Sequence, residues 1–228
     1  MKRNTFKKAS IDPFSPAPLT PNLSPMLLAA AVLIVATNCF AFEDNPLVEL
    51  KKLDSTIAVE LKYTTPENFM KEVMYPEGAR CFLRPKVAER LVRVHHALKE
   101  RGLGIKIFDG YRPLSVQKKM WARFPVEGYV ANPAKGSNHN RGAAVDLTLV
   151  DASGHELAMP SGYDEFSERA HRDYQQGSRA AIKNREILQK AMEKEGFRGI
   201  TTEWWHFDDL DCKTYPLLDL PISSVVSE

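Results

Sequence analysis

The octapeptide AAVDLTLV, residues 143–150, reads as a core strand, yet its fourth position is an aspartate. A short, continuous run of aliphatic and β-branched residues is the pattern of a strand covered on its faces. An ionised carboxylate in such a run must be paired or coordinated, because a buried charge without a partner costs more than a domain can tolerate. Asp146 therefore demands a fold that brings donors or a cation against this strand. Seven positions earlier, across a glycine, stands His139 in KGSNHNRGAAVDLTLV. The pair is either a polar loop running into a strand that happens to carry a carboxylate, or half of a metal site.

The elements around this strand set the fold class. RPKVAERLVRVHHALKERG, residues 84–102, is the clearest helix: Pro85 suits the first turn, Val87, Leu91, Val94 and Leu98 recur at helical spacing, and Gly102 ends it. His95 and His96 are expected on its flank. A short strand, Ile105 to Phe108, then runs into the Gly- and Pro-containing turn DGYRP, and residues 114–123 read as a second helix. SRAAIKNREILQKAMEKEGF, residues 178–197, is a long amphipathic helix stopped by Gly196, and TEWWHFD after it is aromatic and β-favouring. Helices and strands mix without a strict βαβ rhythm. The expectation is α+β: a single domain with a small, mostly antiparallel sheet and helices on one side.

Length and charge bound the partners. The chain has 228 residues, 43% apolar and 26% charged, enough for a real core, and its formal charge of +2 comes from basic and acidic residues scattered throughout. No basic stripe of the kind that tracks a phosphate backbone is present, so nucleic acid is not expected as a partner. The first 41 residues differ: Lys2, Arg3, Lys7 and Lys8 precede a Pro-rich spacer and the uncharged run MLLAAAVLIVATNCFA. That order is expected to be a signal peptide ending at Ala41, with an uncleaved anchor as the alternative and lipid attachment at Cys39 disfavoured by Thr37 and Asn38. Either way the domain, residues 42–228, is expected outside the inner membrane, most simply in the periplasm. Beyond the export signal, no membrane contact is expected. Cys81 and Cys212 remain in the mature chain, either paired in a disulfide or as two buried thiols, and no CxxC spacing points to a thiolate zinc site.

A hydrolytic zinc site takes three protein ligands from histidine and carboxylate and leaves a fourth position open. His139, Asp146 and His206 would supply them, and Glu203, three residues before His206, could serve as the base. A regular strand puts positions 203 and 206 on opposite faces, so this requires a bulge or a strand end. From the residues alone, a structural polar network is as good a reading.

SNHNRGAAVD matches the pattern S-x-H-x-x-G-x-A-x-D, and EWWH the pattern E-x-W-H, in the right order and separation. The chain thereby resembles the zinc D-alanyl-D-alanine dipeptidases of the VanX type, within the wider group of LAS metallopeptidases, from about LKYTTPENF to WWHFDD. The resemblance implies a zinc site at the sheet, with one ion held by His139, Asp146 and His206, and Glu203 as catalytic base for attack of zinc-activated water on the peptide carbonyl. It implies that Arg112 in DGYRP stabilises the oxyanion, the alternative being a turn residue paired with Asp109. It also implies that Asp164 in SGYDEF and Tyr63 in LKYTTP hold the substrate's free ammonium, and that Ser137 helps hold it near its carboxylate. His171 and His155 are expected to be structural and loop residues respectively. Trp204 and Trp205 are expected to pack beside the site.

The function so implied is hydrolysis of the small dipeptide D-Ala-D-Ala outside the inner membrane, in wall turnover or D-alanine salvage. A D,D-carboxypeptidase or endopeptidase acting on stem peptides is the alternative, and a non-catalytic zinc- or peptide-binding module a third. Asp164 and Tyr63 speak against the second, since a longer substrate needs its amine end open. Glu203 speaks against the third. Oligomeric state is not legible in the sequence.

Overall fold

A computed structural model describes residues 46–224, all within the unit Phe40–Glu228; the segment expected to be an export signal lies outside the described residues. In chain order, β1 (Val48–Glu49), α1 (Leu50–Leu53), β2 (Ala58–Val59) and β3 (Phe82–Leu83) lead to α2 (Pro85–Lys99). Then come β4 (Leu103–Asp109), α3 (Leu114–Arg123), β5 (Ala144–Asp151), α4 (Arg179–Lys194), β6 (Phe197–Ile200) and β7 (Glu203–Asp209). The main sheet has five strands in the order β2-β4-β5-β7-β6, and only the β2–β4 pair is parallel. β1 and β3 form a separate antiparallel pair. This is the α+β, mostly antiparallel arrangement expected, with α2 packed on β4, α4 on β6, β5 and β7, and the two helices against each other.

The helices form where their apolar spacing and punctuation agree. Pro85 occupies the first helical turn of α2, where its missing N–H costs nothing, and Gly102 leaves the helix at φ 71°. Val87, Leu91, Val94 and Leu98 are buried as expected, and His95 joins them at 3% exposure, while the His96 side chain is 61% exposed. The expectation that both histidines lie on the flank is thus corrected: 91, 95 and 98 are spaced i, i+4, i+7, so His95 falls inside the apolar stripe. Its Nε2 meets Thr56 Oγ1 at 3.0 Å. In α4, Ser178 caps the first turn by accepting from Ala181 N at 3.1 Å, and Ala181, Leu188 and Met192 face the core.

β5 is buried over seven of its eight residues, so the strand carrying Asp146 is the core strand the sequence promised. Asp146 lies in register with Asp109 on β4 and with His206 on β7, forming one row across three strands. Two irregularities shape that row. Between Ile107 and Asp109, β4 carries one residue more than β5 does. On the other side, Gly199 opposes Phe207 while the next residue, Ile200, opposes Glu203. β7 therefore bulges over Trp204, Trp205 and His206, which is the departure from regular strand geometry that a convergence of Glu203 and His206 requires. Cys81 and Cys212 are both buried free thiols; no disulfide joins them.

Candidate metal centre and its pocket

His139 opens a one-turn 3₁₀ helix, His139–Arg141, that ends at Gly142. Gly142 sits at φ 67°, and a Cβ there would lie 2.5 Å from the Leu47 side chain and 3.3 Å from the backbone N of Arg84. The glycine of SNHNRGAAVD thus lets the chain turn tightly from the histidine into β5. That turn brings His139 Nε2 within 3.3 Å of Asp146 Oδ1 and 3.1 Å of His206 Nδ1, and His206 Nδ1 within 3.0 Å of Asp146 Oδ1.

Three atoms that could ligate a metal ion face one another across a near-equilateral triangle. Zinc bonds of about 2.0–2.1 Å at tetrahedral angles separate ligand atoms by roughly 3.3 Å, so the donor set fits such an ion. The outer nitrogens are fixed as a metal site requires. His139 Nδ1 donates to the carbonyl of Gly110 at 2.8 Å, and His206 Nε2 meets Asp208 Oδ1 at 3.0 Å. These partners aim His139 Nε2 and His206 Nδ1 inward. The second carboxylate oxygen of Asp146, Oδ2, accepts from Tyr163 Oη at 3.1 Å.

The electrostatics match that geometry. Burial opposes ionisation of Asp146, but the two histidines hold its pKa far below the ordinary carboxylate range. Burial likewise opposes the cationic form of His206, yet Asp146 and Asp208 on its two nitrogens hold it well above the usual imidazole value. Glu203 Oε2 stands 3.9 Å from His206 Nδ1, and burial, assisted by the fields of Asp146 and Asp164, pushes its carboxyl up to about 8.

Arg112 reaches this row from the β4–α3 turn. Its Nε and Nη2 donate to Asp109 Oδ2 at 3.0 and 2.7 Å, its Nη1 donates to Gln117 Oε1 at 2.9 Å, and its Nη2 lies 3.9 Å from Asp146 Oδ2. The pairing with Asp109 left open by the sequence is therefore real, and it aims the guanidinium at the site. Asp109 is fully buried, and its Oδ1 accepts from Tyr75 Oη at 2.7 Å and from Gly110 N at 3.0 Å.

A cavity of about 310 Å³ opens over the triangle, and Tyr63, Arg112, Ser137, Asp164 and Glu203 border it together with the three triangle residues. Tyr63 Oη donates to Asp164 Oδ1 at 3.4 Å, while Asp164 Oδ2 accepts from Phe69 N at 3.2 Å. Asp164 is one of two non-glycine residues with positive φ, at 57°, among the described residues, a conformation that aspartate tolerates better than most. Burial, with the field of Asp146, pushes its carboxyl up to about 7. Burial and the Asp164 charge push the Tyr63 phenol well above its ordinary value, so it stays a donor. Ser137 Oγ accepts from His139 N at 3.2 Å beside the same cavity.

Trp205 lines this cavity, but Trp204 faces a different one and donates its indole N–H to Ser161 Oγ at 2.9 Å, so only one of the pair walls the site. His171 Nε2 meets Tyr129 Oη at 3.5 Å and His155 is exposed, in keeping with structural and loop roles. Sequence reasoning missed Asp109 as an acceptor of four donors, Tyr163, and Asp208. Each had a signal, lying within three residues of a position already chosen: Asp109 before Arg112, Tyr163 beside Asp164 and Asp208 after His206.

The peptidase M15 family, described as D-ala-D-ala dipeptidase, matches residues 43–226. The chain is 38% identical over 185 residues to a D-alanyl-D-alanine dipeptidase of Escherichia coli (strain K12), covering 81% of this chain and 95% of that one. It is 31% identical over 196 residues to a D-alanyl-D-alanine dipeptidase of Enterococcus faecalis (strain ATCC 700802 / V583), covering 76% and 95%. Among solved structures, the vancomycin resistance D,D-dipeptidase VanXYg in complex with a D-Ala-D-Ala phosphinate analogue is similar at 20% identity and a TM-score of 0.37, over 59% of this chain and 54% of that one.

Proposed function

Because the chain belongs to the peptidase M15 family of D-Ala-D-Ala dipeptidases, we propose that it hydrolyses D-Ala-D-Ala to two D-alanines with one zinc ion held by His139, Asp146 and His206. The observation that carries this reading is the triangle of ligand atoms with Glu203 Oε2 3.9 Å from one of them, beneath a small cavity that also contains Asp164. When bound, the ion supplies Lewis acidity, lowering the pKa of water and polarising a carbonyl. Glu203 Oε2 takes the proton of the attacking water and returns it to the leaving nitrogen. Arg112, held by Asp109 and Gln117, offers fixed positive charge to the developing oxyanion without having to reorganise.

Asp164 and Tyr63 set which substrate fits. A free ammonium placed against Asp164 Oδ1 gains a charge-assisted hydrogen bond, whereas an acylated nitrogen brings no positive charge to that buried carboxylate. Ser137 offers its hydroxyl to the carboxylate end. The domain proposed for this work is residues 42–228. We also propose that residues 1–41, with their basic start and uncharged run, direct the enzyme outside the inner membrane, where its dipeptide would come from wall turnover and its product feed D-alanine salvage.

The test is hydrolysis of D-Ala-D-Ala beside N-acetyl-D-Ala-D-Ala, with zinc and with a chelator, for the parent and Glu203→Gln. Cleavage of the free dipeptide alone, abolished by the chelator and by the substitution, is the expected result. Comparable cleavage of the acetylated peptide would replace the dipeptidase by a carboxypeptidase and remove the ammonium role of Asp164.

A further inference from the structure

The bulge that brings Glu203 and His206 together breaks the β6–β7 ladder, and backbone groups at such a break need other partners. They find one side chain. Arg172 Nε donates to the carbonyl of Ile200 at 2.7 Å and Arg172 Nη2 to the carbonyl of His206 at 2.6 Å, while the Arg172 backbone N donates to Thr201 O at 2.9 Å. One guanidinium therefore bridges the last regular residue of β6 and the metal-facing residue of β7.

Its setting is specific. The guanidinium lies 4.2 Å over the Phe207 ring, and it rests against Gly199, where a Cβ would stand 2.0 Å from Arg172 Cζ. Only glycine at 199 lets the fork lie flat on the strand. Nη1 is buried with no hydrogen-bond partner among the described residues, and burial lowers the pKa of the group to about 10. A desolvated arginine whose hydrogen bonds end on carbonyls is an expensive way to hold a hairpin, unless the geometry of that hairpin matters.

We propose that Arg172 is a positioning residue of the site: its fork, seated on Gly199, fixes the backbone of His206 and so sets how His206 and Glu203 face His139 and Asp146. The proposal rests on the reading of His206 as a metal ligand. A planar fork can span two carbonyls in a way that a single ammonium cannot, so lysine is not expected to substitute.

The test compares full-chain Arg172→Met, Arg172→Lys and Gly199→Ala with the parent. Zinc affinity of the metal-free protein is read by competition with a chelating dye, fold by circular dichroism and urea midpoint, and kcat and KM on D-Ala-D-Ala. Misplacing the partner of a ligand typically costs roughly 10–100-fold in metal affinity. The expected result is a loss of that size in zinc affinity in the folded variants, with a fall in kcat and a KM within about threefold of the parent. Gly199→Ala keeps the arginine and displaces only its fork, so it decides the matter if Arg172→Met does not fold. Folded variants that bind zinc and turn over within about threefold of the parent, losing urea resistance alone, overturn the proposal and leave Arg172 a stabilising residue. A parent that binds no zinc refutes the ligand assignment, and this proposal with it.

Discussion

Asp109→Asn tests how the arginine is held over the site. Asp109 is fully buried and accepts four hydrogen bonds, from Tyr75 Oη and Gly110 N on one oxygen and from Arg112 Nε and Nη2 on the other. Asparagine has one oxygen and one amino group, so in either orientation its amino group meets two donors. Turned toward Arg112, the oxygen leaves Gly110 N–H without an acceptor, at a cost of about 1–3 kcal/mol, and exchanges a charged acceptor for a neutral one. Removing one charge of a buried pair adds about 3–5 kcal/mol if the other stays buried, and the two effects overlap, so the expected loss is about 4 kcal/mol. With a urea m-value of roughly 2–3 kcal/mol/M, that is a fall in midpoint of about 1.3–2 M, followed by tryptophan fluorescence of metal-free protein. The double substitution Asp109→Leu with Arg112→Met should lose less than the sum of its singles, because no charge is left stranded. A fall for Asp109→Asn under about 0.4 M, or strict additivity in the double variant, would refute the reasoning.

Glu203→Gln should lower kcat by about 10²–10⁴-fold while zinc stoichiometry, measured by atomic absorption, stays at the parental value; a loss under tenfold would remove Glu203 as the base. Asp164→Asn should raise KM for D-Ala-D-Ala by about 10–100-fold and narrow the preference over the N-acetylated dipeptide, and an unchanged preference would show that the ammonium is held elsewhere. The Asp54 carboxylate accepts from Thr56 N and Oγ1 and meets His96 Nε2, and although burial opposes its ionisation these contacts hold its pKa at about 2. A depressed carboxylate stabilises above its unfolded value near 4 and loses that contribution as pH falls toward the folded value. The stability gap between parent and Asp54→Asn, about 1 kcal/mol at pH 6 once solvent screening is allowed for, read from urea melts, should therefore shrink between about pH 4 and pH 2. A gap that does not change with pH would contradict an origin in hydrogen bonds to the charged carboxylate.

What the sequence disclosed and what it hid divide along a physical line. α2, α4 and β5 were legible because long apolar periodicity and local punctuation, Pro85, Ser178, Gly102 and Gly196, agree with the packing they receive. Strands of two residues such as β1, β2 and β3 carry no period to read, and they form because other strands pair with them. The residues of the site were found because two compact motifs hold most of them. Their supports were not, since the Tyr75 and Asp109 pair is 34 positions apart and the Arg172 and His206 pair is 34 apart too. His95 shows the opposite failure: its spacing with Leu91 and Leu98 announced a core position, but the doubled histidine suggested a polar edge.

The row Asp109, Asp146, His206 runs across three hydrogen-bonded strands. Shifting β5 or β7 by one residue would send Asp146 or His206 to the opposite face of the sheet, so the spacing of these two side chains tolerates no insertion or deletion within either strand. Tyr63, Ser137 and Asp164 stand instead on a 3₁₀ turn and two connecting segments outside the sheet, where length can change at little cost to the scaffold. Asp146, Glu203 and His206, proposed for the chemistry, are thus fastened to the ladder, and the residues proposed to grip the substrate to the connections. A chain of this design can acquire a new preference at its rim by loop variation, without ever dismantling the chemistry at its centre.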